Sequence, residues 1–192
     1  TMVKLVTIIT AYVNIIKDIL TNRINIDENS NENQQEFVKM NIKKCVLIHN
    51  ILIELAETVE GVFGDAIFFQ FLCSAIIICF TEFQMIVTPI VSAQFFLLTF
   101  YLSTVSCQVA LYCWFGNELI IHSGDIPEAC YMSNWLNYDL ESCKMLIIMM
   151  ERGKRPMTIT AGKFFAISLP TLMAILRSSY SYFAILRRFY FK

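Results

Sequence analysis

Near the end of the chain, Ile167, Thr171, Ala174, Ser178, Ser181 and Ile185 follow one another at steps of four and three, the spacing of one helix face. Their side chains are small, hydroxylated or aliphatic. Hydroxyls tolerate water, and a ring of aliphatic side chains closes a wet path by dewetting, so this face suits an ion pore. The same residue types suit packing between membrane helices, where small side chains let backbones approach and Ser and Thr hydrogen-bond across the contact. Periodicity leaves both readings open. Arg177 stands in the same apolar run; an intramembrane cation faces water or a bundle interior and pairs there, or its long side chain snorkels to the interface. Glu82, the single acid of another apolar run, is a candidate partner for it, and Pro170 predicts a kink in the helix.

Nothing in the chain has the spacing of an enzyme centre. His49 and His122 lie 73 positions apart, and the 7 cysteines include no Cys-x-x-Cys pair. Most cysteines sit in apolar runs, where a thiol acts as a small hydrophobe. No phosphate loop, Gly-x-Ser-x-Gly elbow or Ser/His/Asp set occurs. The expectation is a protein without catalytic activity, metal or cofactor. A net charge of -1 also leaves no basic excess for a nucleic-acid partner.

The elements that would position these residues belong in a bilayer. Of 192 residues, 56% are hydrophobic and 16% charged, and the mean hydropathy is +0.56, too little charge to clothe a soluble domain. A spanning helix needs about 20 apolar residues. Residues 66–88, 90–121 and 160–188 meet that length, the apolar part of the last running from about Phe164 to Leu186, between Lys163 and the pair Arg187-Arg188. The expected fold class is therefore all-α, a polytopic helical membrane protein fragment with three full transmembrane crossings plus amphipathic cytoplasmic helices. The chain starts at Thr1 inside an apolar stretch without a charged leader, which reads as the interior of a longer protein.

Charge sets the expected orientation, because loops rich in Lys and Arg stay in the cytoplasm. Lys17, Arg23, Lys39, Lys43 and Lys44 precede the first crossing, and Lys144, Arg152, Lys154, Arg155 and Lys163 separate the second from the third. Only Arg187, Arg188 and Lys192 fall beyond the third. The N-terminal half is placed in the cytoplasm and the C-terminus outside. Residues 1–20 read as the end of a helix leaving the membrane, 21–36 as a polar cytoplasmic loop, 37–65 as a cytoplasmic helix and 126–152 as a cytoplasmic amphipathic helix. The last carries the stripe Leu136, Leu140, Cys143, Ile147, Met150; the one before it carries Ile48, Ile51, Leu52, Leu55, Val59, Val62, Phe63. Acids border both stripes and disfavour anionic headgroups, so protein partners are expected there.

Three blocks of residues resemble the insect odorant receptor family. The first runs from His49 to Phe83, with Glu60, Phe63, Gln70-Phe71 and Ile78-Cys79-Phe80; the second is Tyr131-x-Ser133-x-Trp135 followed by Leu146, Met149-Met150, Arg152, Lys154 and Pro156; the third runs from Thr160-Ala161-Gly162-Lys163-Phe164-Phe165 to Ser179-Tyr180-Ser181-Tyr182-Phe183-Ala184-Ile185-Leu186. The resemblance covers the end of the fourth helix to the end of the seventh in a tuning subunit. It implies a seven-helix plasma-membrane protein, unrelated to G-protein-coupled receptors, that forms a heterotetrameric odorant-gated cation channel with the odorant receptor co-receptor. It implies that the cytoplasmic helices anchor the subunits to one another and that the last helix lines the pore. Aligned on Tyr182-Phe183, the gate positions fall on Ile185 and Phe189, with Ser178, Ser181 and Arg188 along the pore face. Phe96, Thr99 and Phe100 would form one wall of a pocket for a small volatile ligand. A gustatory receptor of the same architecture, or a truncated non-conducting membrane protein, are the alternative readings.

Overall fold

The computed structural model describes residues 2–23, 32–89, 92–133, 135 and 138–190. Six α-helices account for most of them: α1 (Met2–Asp18), α2 (Glu32–Val87), α3 (Ala93–Gly124), α4 (Ile126–Met132), α5 (Leu140–Gly153) and α6 (Leu169–Tyr190). A π turn, Ile19–Arg23, closes α1, and two short strands, β1 (Thr160–Ala161) and β2 (Phe165–Ala166), precede α6. Two helical stretches, Gln35–Val87 and Ala93–Met132, are long and apolar enough to cross a membrane. The helical fold class expected from hydropathy is the one observed.

The chain divides into two compact units, Thr1–Val59 with Glu118–Ile159, and Glu60–Asn117 with Thr160–Lys192. In the first, α1 buries Met2, Val6, Ile9, Val13 and Ile16, one stripe at alternating steps of four and three. The N-terminal part of α2 buries Val38, Ile42, Cys45, His49, Leu52, Ala56 and Val59 with the same rhythm. Ile126, Ala129 and Cys130 of α4 and Leu146 and Met149 of α5 complete this core. An ion pair from Lys17 to Asp125 at 2.7 Å sits at its edge, where solvent holds its contribution to at most about 1 kcal/mol.

The sequence stripe at the α5 end is offset from the buried one. Residues 126–152 break into α4 and α5, and α5 turns Ser142, Leu146, Met149 and Gly153 inward, leaving Leu140 and Ile147 exposed. Leu136 lies outside the described residues. Close approach explains the offset: Gly153 stands so near Pro127 that a side-chain carbon on it would meet the proline Cγ at 2.9 Å. A small residue there lets the helices touch, and the larger apolar residues face away. On α2, likewise, the buried stripe runs through His49 and Ala56 and leaves Ile51 exposed.

In the second unit, the C-terminal part of α2 buries Ile67, Phe71, Ser74 and Ile78, and α3 buries Val105, Val109 and Cys113. The expected division at residues 65 and 66 is no break in the chain's helix, because α2 is continuous from Glu32 to Val87. The expected helix over 160–188 begins instead at Leu169, behind the β1–β2 hairpin. Gly162 (φ 58°) and Lys163 (φ 62°) take the left-handed turn conformation, which helices exclude. Pro170 then falls in the first turn of α6, where its missing N–H leaves no bond unmade, so the expected kink is replaced by a helix start.

Candidate functional site

The hairpin fixes where α6 begins. The Gly162 N–H donates to the Gly64 carbonyl at 3.0 Å, and the Thr160 hydroxyl donates to the Glu60 carboxylate. Phe164 stacks on Phe68 with ring centroids 5.1 Å apart, and Phe165 stacks on Phe71 at 6.0 Å. Ile167, fully buried, rests its carbonyl on Gly116 of α3. Gly116 thus admits a backbone contact that a side chain would block, and at Gly64 a side-chain carbon would press on the Thr160 carbonyl at 3.1 Å.

From that start, α6 packs along one side and is open along the other. Leu172, Ile175 and Phe183 are half-buried and Ser179 is buried, whereas Ala174, Ser178, Ser181, Ile185 and Arg188 are exposed. The Ser179 hydroxyl donates to the Ile175 carbonyl at 3.0 Å and reaches the Ala75 carbonyl of α2 at 3.4 Å. Of the residues read as one face in sequence, Ile167 is a buried residue ahead of the helix and Thr171 is tied to the Ala166 carbonyl at 2.7 Å. Ala174, Ser178, Ser181 and Ile185 remain together on the open side. The Phe189 side chain lies outside the described residues.

An apolar groove of about 540 Å³ runs beside this open side, lined by Phe71, Leu72 and Ala75 of α2, by Phe165, and by Pro170, Thr171, Ala174, Ile175, Ser178 and Tyr182. Sequence reasoning missed it, because it assigned Phe165 to a helix; the Gly162 and Pro170 punctuation was the available signal. Arg177 is exposed on α6 and forms no ion pair with Glu82, whose buried Oε2 has no hydrogen-bond partner among the described residues. Phe96, Thr99 and Phe100 share one face of α3 and are all exposed, the Thr99 hydroxyl donating to the Phe95 carbonyl at 2.9 Å. They are not brought to the α6 groove.

In the first unit, the titratable groups are arranged for packing. Burial pushes the Cys45 thiol up to about 11 and the Cys130 thiol up to about 12, so both stay protonated, and all seven cysteines are free. Burial, and secondarily the Arg152 guanidinium, lowers His49 below its ordinary 6.5, keeping the ring neutral. At the surface, a hydrogen bond from Lys39 holds the Glu141 carboxyl below its usual range.

A family model described as "7tm Odorant receptor" matches residues 2–180. The chain belongs to the insect odorant receptor family. Odorant receptor 94a of Drosophila melanogaster is 28% identical over 165 residues, covering 85% of this chain and 43% of the relative. Odorant receptor 67c of the same species is 31% identical over 165 residues, 84% of this chain and 39% of the relative. Odorant receptor Or1 of Anopheles gambiae is 28% identical over 148 residues, 76% of this chain and 36% of the relative. The chain thus spans about two fifths of such odorant receptors. The solved olfactory receptor OR5 of Machilis hrabei in complex with eugenol shares the fold, with a TM-score of 0.79 at 14% identity over 95% of this chain and 45% of that one. The family is one of membrane proteins, and α2 and α3 carry stretches long and apolar enough to cross a membrane.

Proposed function

We infer that this chain is part of an odorant-binding tuning subunit, which assembles with odorant receptor co-receptor subunits in the plasma membrane into a heterotetrameric, ligand-gated cation channel. On this reading the membrane is crossed by the C-terminal part of α2, by α3 and by α6, with the N-terminal half cytoplasmic and the C-terminus outside. Lys and Arg concentrate ahead of the C-terminal part of α2 and between α3 and α6, which supports that orientation. The observation that carries the pore assignment is on α6: Ser178, Ser181 and Ile185 stay open while Ser179, one residue on, is buried. Hydroxyls and a cation on an open helix face suit water better than acyl chains. Ile185 and Phe189 are the gate positions, closing the path by dewetting.

The solved relative was captured with eugenol, a small ligand, and a small volatile ligand is the class proposed for this receptor. Phe96, Thr99 and Phe100 supply apolar and aromatic contact of the kind such a ligand needs. The test is expression of the full-length receptor with the co-receptor, scored for odorant-evoked current. Ile185→Ala and Phe189→Ala are expected to change basal conductance. Silence across a broad volatile panel despite surface expression, or response only to a water-soluble tastant, sinks the proposal.

A further inference from the structure

The open side of α6 carries a second, cationic stripe. Arg177, Ser181, Ala184 and Arg188 follow at steps of four, three and four, which places them on one face, and all four are exposed. The two arginines are separated by about 16 Å of helix at 1.5 Å per residue. Neither is within ion-pair distance of a carboxylate among the described residues, and Glu82 does not reach Arg177. Arg188, near the C-terminal end of α6, is placed to snorkel to an interface, but Arg177 lies eight residues past Leu169 and thirteen before Tyr190. Lipid is a poor neighbour for that stripe, because an uncompensated guanidinium away from the interface is costly. Ser181, between the two charges, offers water a hydroxyl.

Building on the channel reading above, we propose that Arg177 and Arg188 are fixed charges on the water-filled path that set its ionic selectivity, favouring monovalent over divalent cations. The repulsion between a fixed positive charge and a passing ion grows in proportion to the ion's charge, so calcium meets twice the electrostatic barrier that sodium does at the same distance. Screening over about 8 Å at physiological ionic strength confines the effect to charges on the path itself, which is where this stripe lies if Ser181 faces the pore. This subunit thereby lowers the calcium share of the odorant-evoked current.

The experiment expresses the full-length receptor with the co-receptor and reads reversal potentials in external sodium and calcium. Arg177→Gln, Arg188→Gln and their combination are expected to raise the calcium-to-sodium permeability ratio, by about twofold or more for the pair, and Arg→Lys at the same positions to restore the low ratio. An unchanged ratio in the paired variant, with odorant-evoked current present, overturns the proposal. Should the paired variant fail to reach the surface, the single variants and Arg188→Cys decide: protection of that cysteine from a charged, water-soluble thiol reagent overturns the proposal, and modification that shifts the ratio supports it. A wild-type receptor silent to every volatile fails earlier, and that outcome removes the channel reading and this proposal together.

Discussion

Gly116 of α3 stands directly against the backbone of Ile167: a side-chain carbon on the glycine would come within 2.3 Å of the Ile167 carbonyl oxygen and 2.9 Å of its Cγ2. Backbone cannot swing aside as the end of a flexible side chain can. Gly116→Ala is therefore expected to displace the segment that starts α6, at a cost of about 2–3 kcal/mol, the upper part of the range for overpacking a core. Reduced melting temperature of the detergent-solubilised receptor, with loss of surface expression, is the readout. An alanine variant as stable as wild type would mean that α3 and Ile167 are farther apart than described.

The hairpin provides a matched comparison between glycines. Gly162→Ala places a side chain at φ 58° and 3.0 Å from the Phe68 ring, and the left-handed conformation alone costs about 1–2 kcal/mol. Gly61, in the interior of α2, has nothing within 4 Å of an added side-chain carbon. Gly61→Ala is expected to stabilise by about 0.5–1 kcal/mol, since alanine is the better helix former. Opposite shifts in thermal denaturation of the two variants check this; shifts of the same sign contradict it.

The contrast between these glycines shows what a sequence reading can and cannot reach here. Apolar length depends on composition alone, so the runs in α2, α3 and α6 are legible without knowing any neighbour. The odorant-receptor blocks are legible for a similar reason, being an ordered pattern along the chain. What escapes is anything decided by close approach: Gly153 against Pro127 sets the inward face of α5, and hydropathy favours Leu140 and Ile147 instead because it scores size rather than contact. Gly162-Lys163 sits inside an apolar run and disappears into an averaged window, although a glycine seven residues before Leu169 and a proline one after it mark a turn and a helix start. At the candidate site, periodicity grouped Ser178, Ser181 and Ile185 correctly on one side of α6. It gave no warning that Ile167 and Thr171 would be taken up by the hairpin junction.

His49 makes the first unit sensitive to acid. Its ring is buried on α2 and its pKa in the folded chain is lowered from 6.5, by burial first and the Arg152 guanidinium second. The unfolded chain therefore takes up the proton near pH 6.5 while the folded chain resists it, and more protons on the unfolded state mean lost stability as pH falls. The contribution is fully present above 6.5 and declines as pH falls below it towards the folded value. Melting temperatures between pH 7.5 and 5.5 are expected to fall more steeply in wild type than in His49→Leu, which keeps the apolar volume and removes the titration. Parallel slopes would show that another group governs acid sensitivity.

Ser178 and Ser179 are neighbours in sequence with opposite surroundings, and substituting each by valine separates packing from conduction. Ser179 is buried, with its hydroxyl on the carbonyls of Ile175 and Ala75, so valine there removes both hydrogen bonds and crowds the α2–α6 contact, at an expected cost of about 1–3 kcal/mol. Ser178 is exposed and lines the apolar groove, and valine there is expected to change stability by less than about 0.5 kcal/mol. If the open side of α6 is wetted, the stability-neutral Ser178→Val should lower single-channel conductance, because it replaces a hydroxyl with a dewetting surface, while Ser179→Val mainly lowers the number of receptors at the surface. Single-channel recording together with surface labelling distinguishes the two effects. Unaltered conductance in Ser178→Val would leave that face a packing surface for another helix.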